Sequence, residues 1–330
     1  MTVLVTGGAG FIGSHFIDMH LESCPEDSVV CLDKLTYAGS MDNLASAQKN
    51  EHFRFVKGDI CDRELLKRLF DKVRPDKVVN FAAESHVDRS IASPQIFLET
   101  NYMGTAALLD ASLEYKVKRF HQISTDEVYG DLPLESSEKF TEETPSAPHS
   151  PYSASKAAAD MLVLAYYKTY GLNVTVSRCS NNYGERQYPE KLIPLAVKKA
   201  VSGEKIPIYG DGKNIRDWIY VKDHCKAVEM ILENGRAGEI YNIGADNELS
   251  NLELIEKVIG TLEKLGVKNV GTKFVPDRKG HDRRYAISAE KMRCELGAFS
   301  LTDFDTKLPE VIQWFVRSFE ADVFSSSASL

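Results

Sequence analysis

No apolar run in this chain approaches the ~18 residues of a membrane span, so a transmembrane helix is excluded. The first strand is expected from residue 2, which leaves no room for a signal peptide. Cysteine is sparse and scattered: Cys24, Cys31, Cys61, Cys179, Cys225 and Cys294 form no C-x-x-C or Cys/His ligand spacing. That argues against a zinc site or a disulfide framework, and for reduced thiols in the cytoplasm with no bound metal. Positive charge is in deficit, with 40 Lys+Arg against 48 Asp+Glu and a net charge of -8. Such a balance disfavours nucleic acid or an anionic membrane as partner, while a local basic site could still hold a phosphorylated ligand. Sequence complexity is low only in the tail from Ser325 to Leu330, where a frayed end is expected. The rest is ordinary for a globular protein: 330 residues, 43% hydrophobic and 27% charged, enough for one large α/β unit with a smaller lobe.

The chain opens on a short apolar strand, Thr2 to Thr6, followed by Gly7-Gly8-Ala9-Gly10-Phe11-Ile12-Gly13. Gly8, Gly10 and Gly13 fit G-x-G-x-x-G, and Gly7 adds a G-x-x-G-x-x-G spacing. Such glycines permit a tight turn and close approach of the backbone to a pyrophosphate at a helix N-terminus. The motif alone is weak. Here an amphipathic helix follows, then a second strand ending in Asp33, 20 residues beyond Gly13, where an acid would hold a ribose 2′-hydroxyl and repel a 2′-phosphate. The expected cofactor is therefore NAD. Strand Phe53 to Asp59 ends in an acid that could reach the adenine, and a helix is predicted from Arg63 to Val73. The strand beginning at Lys77 ends in Ala82 and Ala83, small enough for a nicotinamide ribose to lie close, and a long helix is predicted from Phe97 to Tyr115. Strands separated by helical patterns mean a doubly wound parallel sheet.

The next strand stops abruptly in Ser124-Thr125-Asp126-Glu127. An acidic pair in a loop is usually just solvated. At a strand's carboxyl end, in the crevice where such sheets bind ligands, two adjacent carboxyls would instead split into an acid and a base. Downstream, Tyr152 and Lys156 stand at i and i+4, one helical turn apart on one face. A lysine beside a phenol favours the phenolate, a base for a substrate hydroxyl. Strand Leu172 to Arg178 reads as the last of the cofactor sheet, helix Asn251 to Leu265 as core packing, and Trp314 as core. Lys191 and Arg216, with Arg278, are candidate cations for a sugar-nucleotide diphosphate.

Gly7 to Gly13, Asp33, Thr125 and Tyr152-x-x-x-Lys156 together resemble the extended short-chain dehydrogenase/reductases. The Thr125-Asp126-Glu127 triplet narrows the likeness to the dTDP-glucose 4,6-dehydratases. So do Ala82-Ala83-Glu84-Ser85-His86, Asn181-Asn182-Tyr183, Tyr188-Pro189-Glu190-Lys191, Arg216-Asp217-Trp218 and Gly280-His281-Asp282-Arg283. Two places depart from the family pattern, Glu185-Arg186-Gln187 and Lys279, both beside the expected nucleotide pocket. The resemblance implies a Rossmann-type sheet over residues 1–180, including the Tyr/Lys helix, and a mainly sugar-nucleotide-binding lobe over 181–330 whose chain crosses back to the first. It implies that Phe11, Ile12, Lys34, Asp59, Ile60, Ser85, Thr100 and Asn182 join Gly7, Gly10, Gly13, Asp33, Ala82, Ala83, Tyr152 and Lys156 around NAD. For the sugar nucleotide it implies Ser85, His86, Thr125, Asn181, Lys191, Leu192, Pro207, Tyr209, Arg216, Asn251, Arg278 and His281.

The implied reaction turns dTDP-glucose into its 4-keto-6-deoxy form, with Tyr152, Lys156, Thr125, Asp126 and Glu127 as the catalytic set. A sugar-nucleotide 4-epimerase would need the same residues except the acidic pair, and a dehydratase of another nucleotide hexose or a non-catalytic NAD sensor would share the fold. The family usually dimerises through helices starting near Phe97 and Tyr152, as a four-helix bundle; Ala157, Ala158 and Ala159 are compatible with it, or with packing on the sheet.

Overall fold

The computed structural model describes residues 1–327. The first half alternates strand and helix: β1 (Thr2–Thr6), α1 (Phe11–Ser23), β2 (Ser28–Asp33), β3 (Phe53–Lys57), α2 (Arg63–Val73) and β4 (Lys77–Asn80). It continues through α3 (Val87–Ala92), α4 (Pro94–Phe97), α5 (Thr105–Glu114), β5 (Arg119–Thr125), α6 (Pro151–Tyr170) and β6 (Val174–Cys179). Then come β7 (Asn181–Tyr183), α7 (Leu192–Val201), β8 (Ile206–Tyr209), β9 (Ile215–Tyr220), α8 (Val221–Asn234) and β10 (Glu239–Ile243). The last elements are β11 (Glu248–Ser250), α9 (Asn251–Lys264), β12 (Thr272–Val275), α10 (Glu290–Leu296) and α11 (Phe304–Ser327).

Seven strands form one parallel sheet in the order β10-β6-β5-β4-β1-β2-β3. With helices on both faces, its strands read as apolar runs rather than alternations; Val3, Leu4 and Val5 of β1 and all six residues of β6 are buried. From β1 the chain moves outward through β2 and β3, then returns to β4 and proceeds the other way. The reversal opens a crevice at the carboxyl ends of β1 and β4, where a ligand fits. Two small sheets, β11-β9-β7 and β12-β8, build the second lobe.

Local chemistry sets the helix ends. Asp62 caps α2 by accepting from the Leu65 N–H at 2.9 Å. Ser150 and Ser153 form a reciprocal capping box at the start of α6, which also has Pro151 in its first turn and ends on left-handed Gly171. These caps fix where Tyr152 and Lys156 begin their turn. Helix α9 buries Leu254, Ile255, Val258 and Leu262, the stripe its sequence predicts.

Four expectations need correction. The cofactor sheet does not end with β6: β10, from the second half, pairs parallel beside it, Ile240 opposite Val176. The helix predicted over 97–115 is not regular, because Leu98–Gly104 widens into a π-helical segment before α5. There the Asn101 amide binds both the N–H and the C=O of Glu84, at 2.8 and 3.0 Å, and donates to Ser155 Oγ at 2.9 Å. A side chain held so firmly off the helix is a sufficient cause for the wider turn. Trp314 is 39% exposed, since the apolar stripe of α11 runs through Val311, Ile312, Phe315, Val316 and Phe319 and leaves it outside. Helix α11 also continues through Ser327, where an irregular tail was expected from Ser325; residues 328–330 lie outside the described residues.

Candidate active site

The crevice is walled at one end by the glycine turn. Gly7 has φ +67°, and a Cβ there would lie 2.5 Å from the Ala82 N atom. A Cβ on Gly13 would meet the Gly7 carbonyl oxygen at 2.6 Å. Backbone thus approaches backbone as only glycine allows, leaving a cradle at the start of α1. Asp33, at the end of β2, accepts from the Ala9 N–H at 2.9 Å and the Leu35 N–H at 2.7 Å. Burial pushes its carboxyl up, and those two bonds oppose the push. Across the mouth Lys34 pairs with Asp59 at 2.6 Å. Burial would raise the Asp59 carboxyl, but the Lys34 ammonium and the Cys61 N–H hold it below its usual value.

One cavity brings together every residue expected at the cofactor: Gly7, Gly10, Phe11, Ile12, Gly13, Asp33, Lys34, Asp59, Ile60, Ala82, Ala83, Ser85, Thr100, Tyr152, Lys156 and Asn182. Thr125, Asp126, Glu127, Asn181 and Lys191 line it too. The glycine cradle, the acid at the end of β2 and the small Ala82-Ala83 floor fit a dinucleotide.

At the carboxyl end of β5 the Thr125 hydroxyl accepts from the Glu127 N–H at 3.3 Å, capping a short 3₁₀ turn over Asp126–Tyr129. The turn sends the adjacent carboxyls into different surroundings. Asp126 is 1% exposed, with Oδ2 buried and unpartnered. Burial, then the charges of Glu127 and Asp217, push its carboxyl well above the usual range. Glu127 is raised less sharply, chiefly by burial, because Arg216 and Lys191 pull it down. The pair is therefore split, with Asp126 the carboxyl that keeps its proton and Glu127 the one that ionises.

Tyr152 behaves otherwise than the sequence predicts. Burial and the charge of Glu127 push its phenol well up, opposed by the Thr125 hydroxyl. The Lys156 ammonium, which donates to the Ile123 carbonyl at 2.6 Å, does not outweigh that burial. Cys179, beside them on β6, is pushed up to about 12 by burial and stays a neutral thiol.

The expected sugar-nucleotide residues divide. Lys191 reaches the cavity, donating to the Ser85 carbonyl at 2.9 Å. His86, Leu192, Pro207, Tyr209, Arg216, Asn251, Arg278 and His281 lie outside the cavity lining. Pro207 and Tyr209 share one face of β8, and the Arg278 guanidinium lies 4.8 Å over the Tyr209 ring. Arg216 is buried, donates to the Asp282 carbonyl at 2.8 Å and stacks 4.0 Å over Tyr285. His281 pairs with Asp277 at 2.5 Å, and His86 stands 3.6 Å from Glu190. Asn251 opens α9 and Leu192 opens α7. Arg216 and Arg278 still act on Glu127, so this group borders the site.

The departures at 185 and 186 turn away from the cleft, against expectation. Glu185 accepts from Tyr220 at 3.0 Å and pairs with Lys307 at 3.4 Å, while Arg186 pairs with Asp18 at 2.8 Å. They fasten the second lobe to α1 and α11. Gln187 does line the cavity, and Lys279 is exposed.

Sequence reasoning gave no role to two residues in or beside the cleft. Tyr37 hydroxyl donates to Glu190 at 3.0 Å and the Tyr37 ring meets Tyr188 edge-on, bridging the loop after β2 to the second lobe. Glu84 lines the cavity with a buried Oε2 that takes no hydrogen bond and lies 3.6 Å from the Arg89 guanidinium. Both motifs were visible, but motifs do not reveal which chain segments meet. Away from the site, His20, Cys24 and Glu229 hold potential metal-ligand atoms within 4.8 Å of one another. His20 Nδ1 already lies 3.0 Å from Glu229 and its Nε2 3.4 Å from Asp27, so the imidazole is engaged on both sides by carboxylates.

Comparison with known proteins adds four findings. Residues 4–310 match the family model for GDP-mannose 4,6-dehydratase. A dTDP-glucose 4,6-dehydratase of Neisseria gonorrhoeae is 50% identical over 331 residues, covering 95% of each chain. The structure of DesIV, a dTDP-glucose 4,6-dehydratase from Streptomyces venezuelae with NAD and TYD bound, superposes with a TM-score of 0.90 at 47% identity, covering 96% of this chain and 97% of that one. A UDP-glucose 4-epimerase from Thermotoga maritima superposes almost as well, with a TM-score of 0.87 at 31% identity over 96% of this chain and 99% of its own. Fold alone therefore does not separate the two chemistries.

Proposed function

The chain belongs to the GDP-mannose 4,6-dehydratase family, and from that membership and the split carboxyl pair we infer that it converts dTDP-glucose into dTDP-4-keto-6-deoxyglucose and water. The observation that carries this reading is the pair itself. Asp126 and Glu127 are raised to different extents at the end of β5, Asp126 the more strongly and Glu127 opposed by Arg216 and Lys191, and elimination needs one acid and one base.

The glycine cradle, Asp33 and the Ala82-Ala83 floor would hold NAD, which when bound would supply a hydride acceptor for sugar C4 and a hydride donor for C6. Tyr152 takes the C4 hydroxyl proton, with Thr125 sharing the hydrogen bond that holds the hydroxyl in line. Lys156, one turn along α6, carries the positive charge that favours the phenolate against burial. The ketone so formed acidifies C5–H, and Glu127 removes that proton. Asp126 donates its proton to the departing C6 hydroxyl, so water leaves neutral. Glu127 then gives its proton back to C5, and transfer through solvent of the proton held by Tyr152 to the ionised Asp126 restores the starting state. Lys191, Arg216 and Arg278 offer positive charge to the diphosphate, while Pro207 and Tyr209 offer a face to the nucleoside. Residues 1–180 serve chiefly the cofactor and 181–330 chiefly the sugar nucleotide.

The protein acts as a homodimer. Leu98, Met103 and Met161, on the π-helical segment and α6, are each more than half exposed, an apolar surface suited to a bundle of four helices. Of the three alanines, Ala157 and Ala159 are buried within the protomer, which leaves the bulkier residues to make the contact. A cytoplasmic setting suits the six free thiols; among the described residues no helix is long and apolar enough to cross a membrane.

Incubation with dTDP-glucose, followed by mass spectrometry, tests the function. Loss of one water supports it. Isomerisation with the mass unchanged would mark an epimerase, and water loss only from UDP- or GDP-hexoses would move the nucleotide assignment.

A further inference from the structure

Directly behind the catalytic turn lies a buried charged group that the reaction above does not use. Asp160 is 0% exposed and sits four residues beyond Lys156 on the same face of α6, as Lys156 sits beyond Tyr152. Its Oδ2 accepts twice, from Ser124 Oγ at 2.9 Å and from Arg178 Nε at 3.0 Å. Ser124 and Arg178 are register partners on β5 and β6, so the carboxylate is pinned to the two strands carrying the catalytic turn. Its Oδ1 is buried with no hydrogen-bond partner. An ionised oxygen left so is expensive unless positive charge stands near, and an ion pair with Arg178 alone would be better made with both oxygens.

Around Lys156 stand Tyr152 and Asp160 from α6, Asp126 and Glu127 from the turn after β5, and Cys179 and Arg178 from β6. Asp126 keeps its proton, Cys179 is a neutral thiol, and Arg178 carries the wrong sign. Glu127 takes and returns a proton in the proposed reaction, so Asp160, paired with Arg178 at 3.0 Å, is the carboxylate of the group whose charge the reaction does not use.

We propose that Asp160 is a positioning residue that acts through Lys156, as the buried counter-charge keeping that lysine an ammonium beneath Tyr152. Consistent with this, burial pushes Lys156 down and the Asp160 carboxylate is the leading charge that opposes the push. Burial raises the Asp160 carboxyl, and Arg178, paired with it at 3.0 Å and stacked 4.6 Å over the Tyr129 ring, is the leading charge that opposes the rise. The inference rests on the proposed function, in which a charged Lys156 supports proton removal by Tyr152.

The test compares kcat and KM for dTDP-glucose across the pH range in the wild-type protein, Asp160→Asn, and the double variant Asp160→Asn/Arg178→Met, which leaves no unpaired buried cation at Arg178. Asp160→Asn should lower kcat roughly 10- to 100-fold, leave KM within about threefold, and move the alkaline limb of the profile about one pH unit lower. The double variant should regain thermal stability but keep the displaced limb. A double variant with the wild-type profile, or an Asp160→Asn profile lower everywhere but unshifted, would show a merely structural role and overturn the proposal. Absence of water loss by the wild-type protein would instead overturn the proposed function.

Discussion

Asp126 and Glu127 are neighbours in sequence and opposites in behaviour. The 3₁₀ turn capped by Thr125 buries Asp126 among like charges and leaves Glu127 under the influence of Arg216 and Lys191. Replacing either by its amide should slow water loss by ~10²- to 10⁴-fold. Reduction of bound NAD on mixing with dTDP-glucose, followed by absorbance, should survive in both variants. A second outcome concerns stability. The folded-state pKa of Asp126 lies above its unfolded value, so its contribution is intact at low pH and is lost as pH rises through the folded value. Asp126→Asn cannot ionise. Its melting temperature relative to wild type should therefore climb as pH rises above the ordinary carboxyl range of about 4, and a constant difference would contradict the raised carboxyl. Tyr152 marks the limit of reading at this scale. Its i+4 lysine is evident from spacing, but the burial that pushes the phenol up depends on residues distant in sequence, among them Phe97, Thr125 and Cys179.

At the scale of elements, legibility followed local chemistry. The β1–glycine turn–α1 unit, Asp33 at the end of β2, helix α2 over Arg63–Val73 and the apolar stripe of α9 all stand where the sequence predicts. Each is set by residues within a few positions: glycines, caps, periodicity. What was missed depends on contacts distant in sequence. The π-helical stretch reflects Asn101 binding Glu84, and the place of Trp314 reflects which face of α11 meets the core. The glycine turn allows a sharp check. Gly7→Ala would put a Cβ on a residue at φ +67°, at ~1–2 kcal/mol for the backbone alone, and drive it into Ala82. Purified Gly7→Ala should release far less NAD on denaturation than wild type, and melt lower.

For the whole molecule, the apolar surface of Leu98 and Met161 sets a prediction about assembly. Leu98→Glu/Met161→Glu, placed beside its own symmetry copy, would bring like charges together across the proposed bundle. Light scattering should give twice the chain mass of 36.9 kDa for wild type and about one chain mass for the variant. An unchanged dimer would place the contact elsewhere.

The return of β10 to the large sheet also bears on how the protein is made. A ribosome delivers the chain from its N-terminus, so β6 emerges well before Ile243 completes its neighbour. During that interval the outer edge of β6 has open backbone donors and acceptors, the kind of edge that recruits strands from other nascent chains. Synthesis is the protein's exposed moment, and slow or crowded translation should cost soluble yield before it costs activity per molecule.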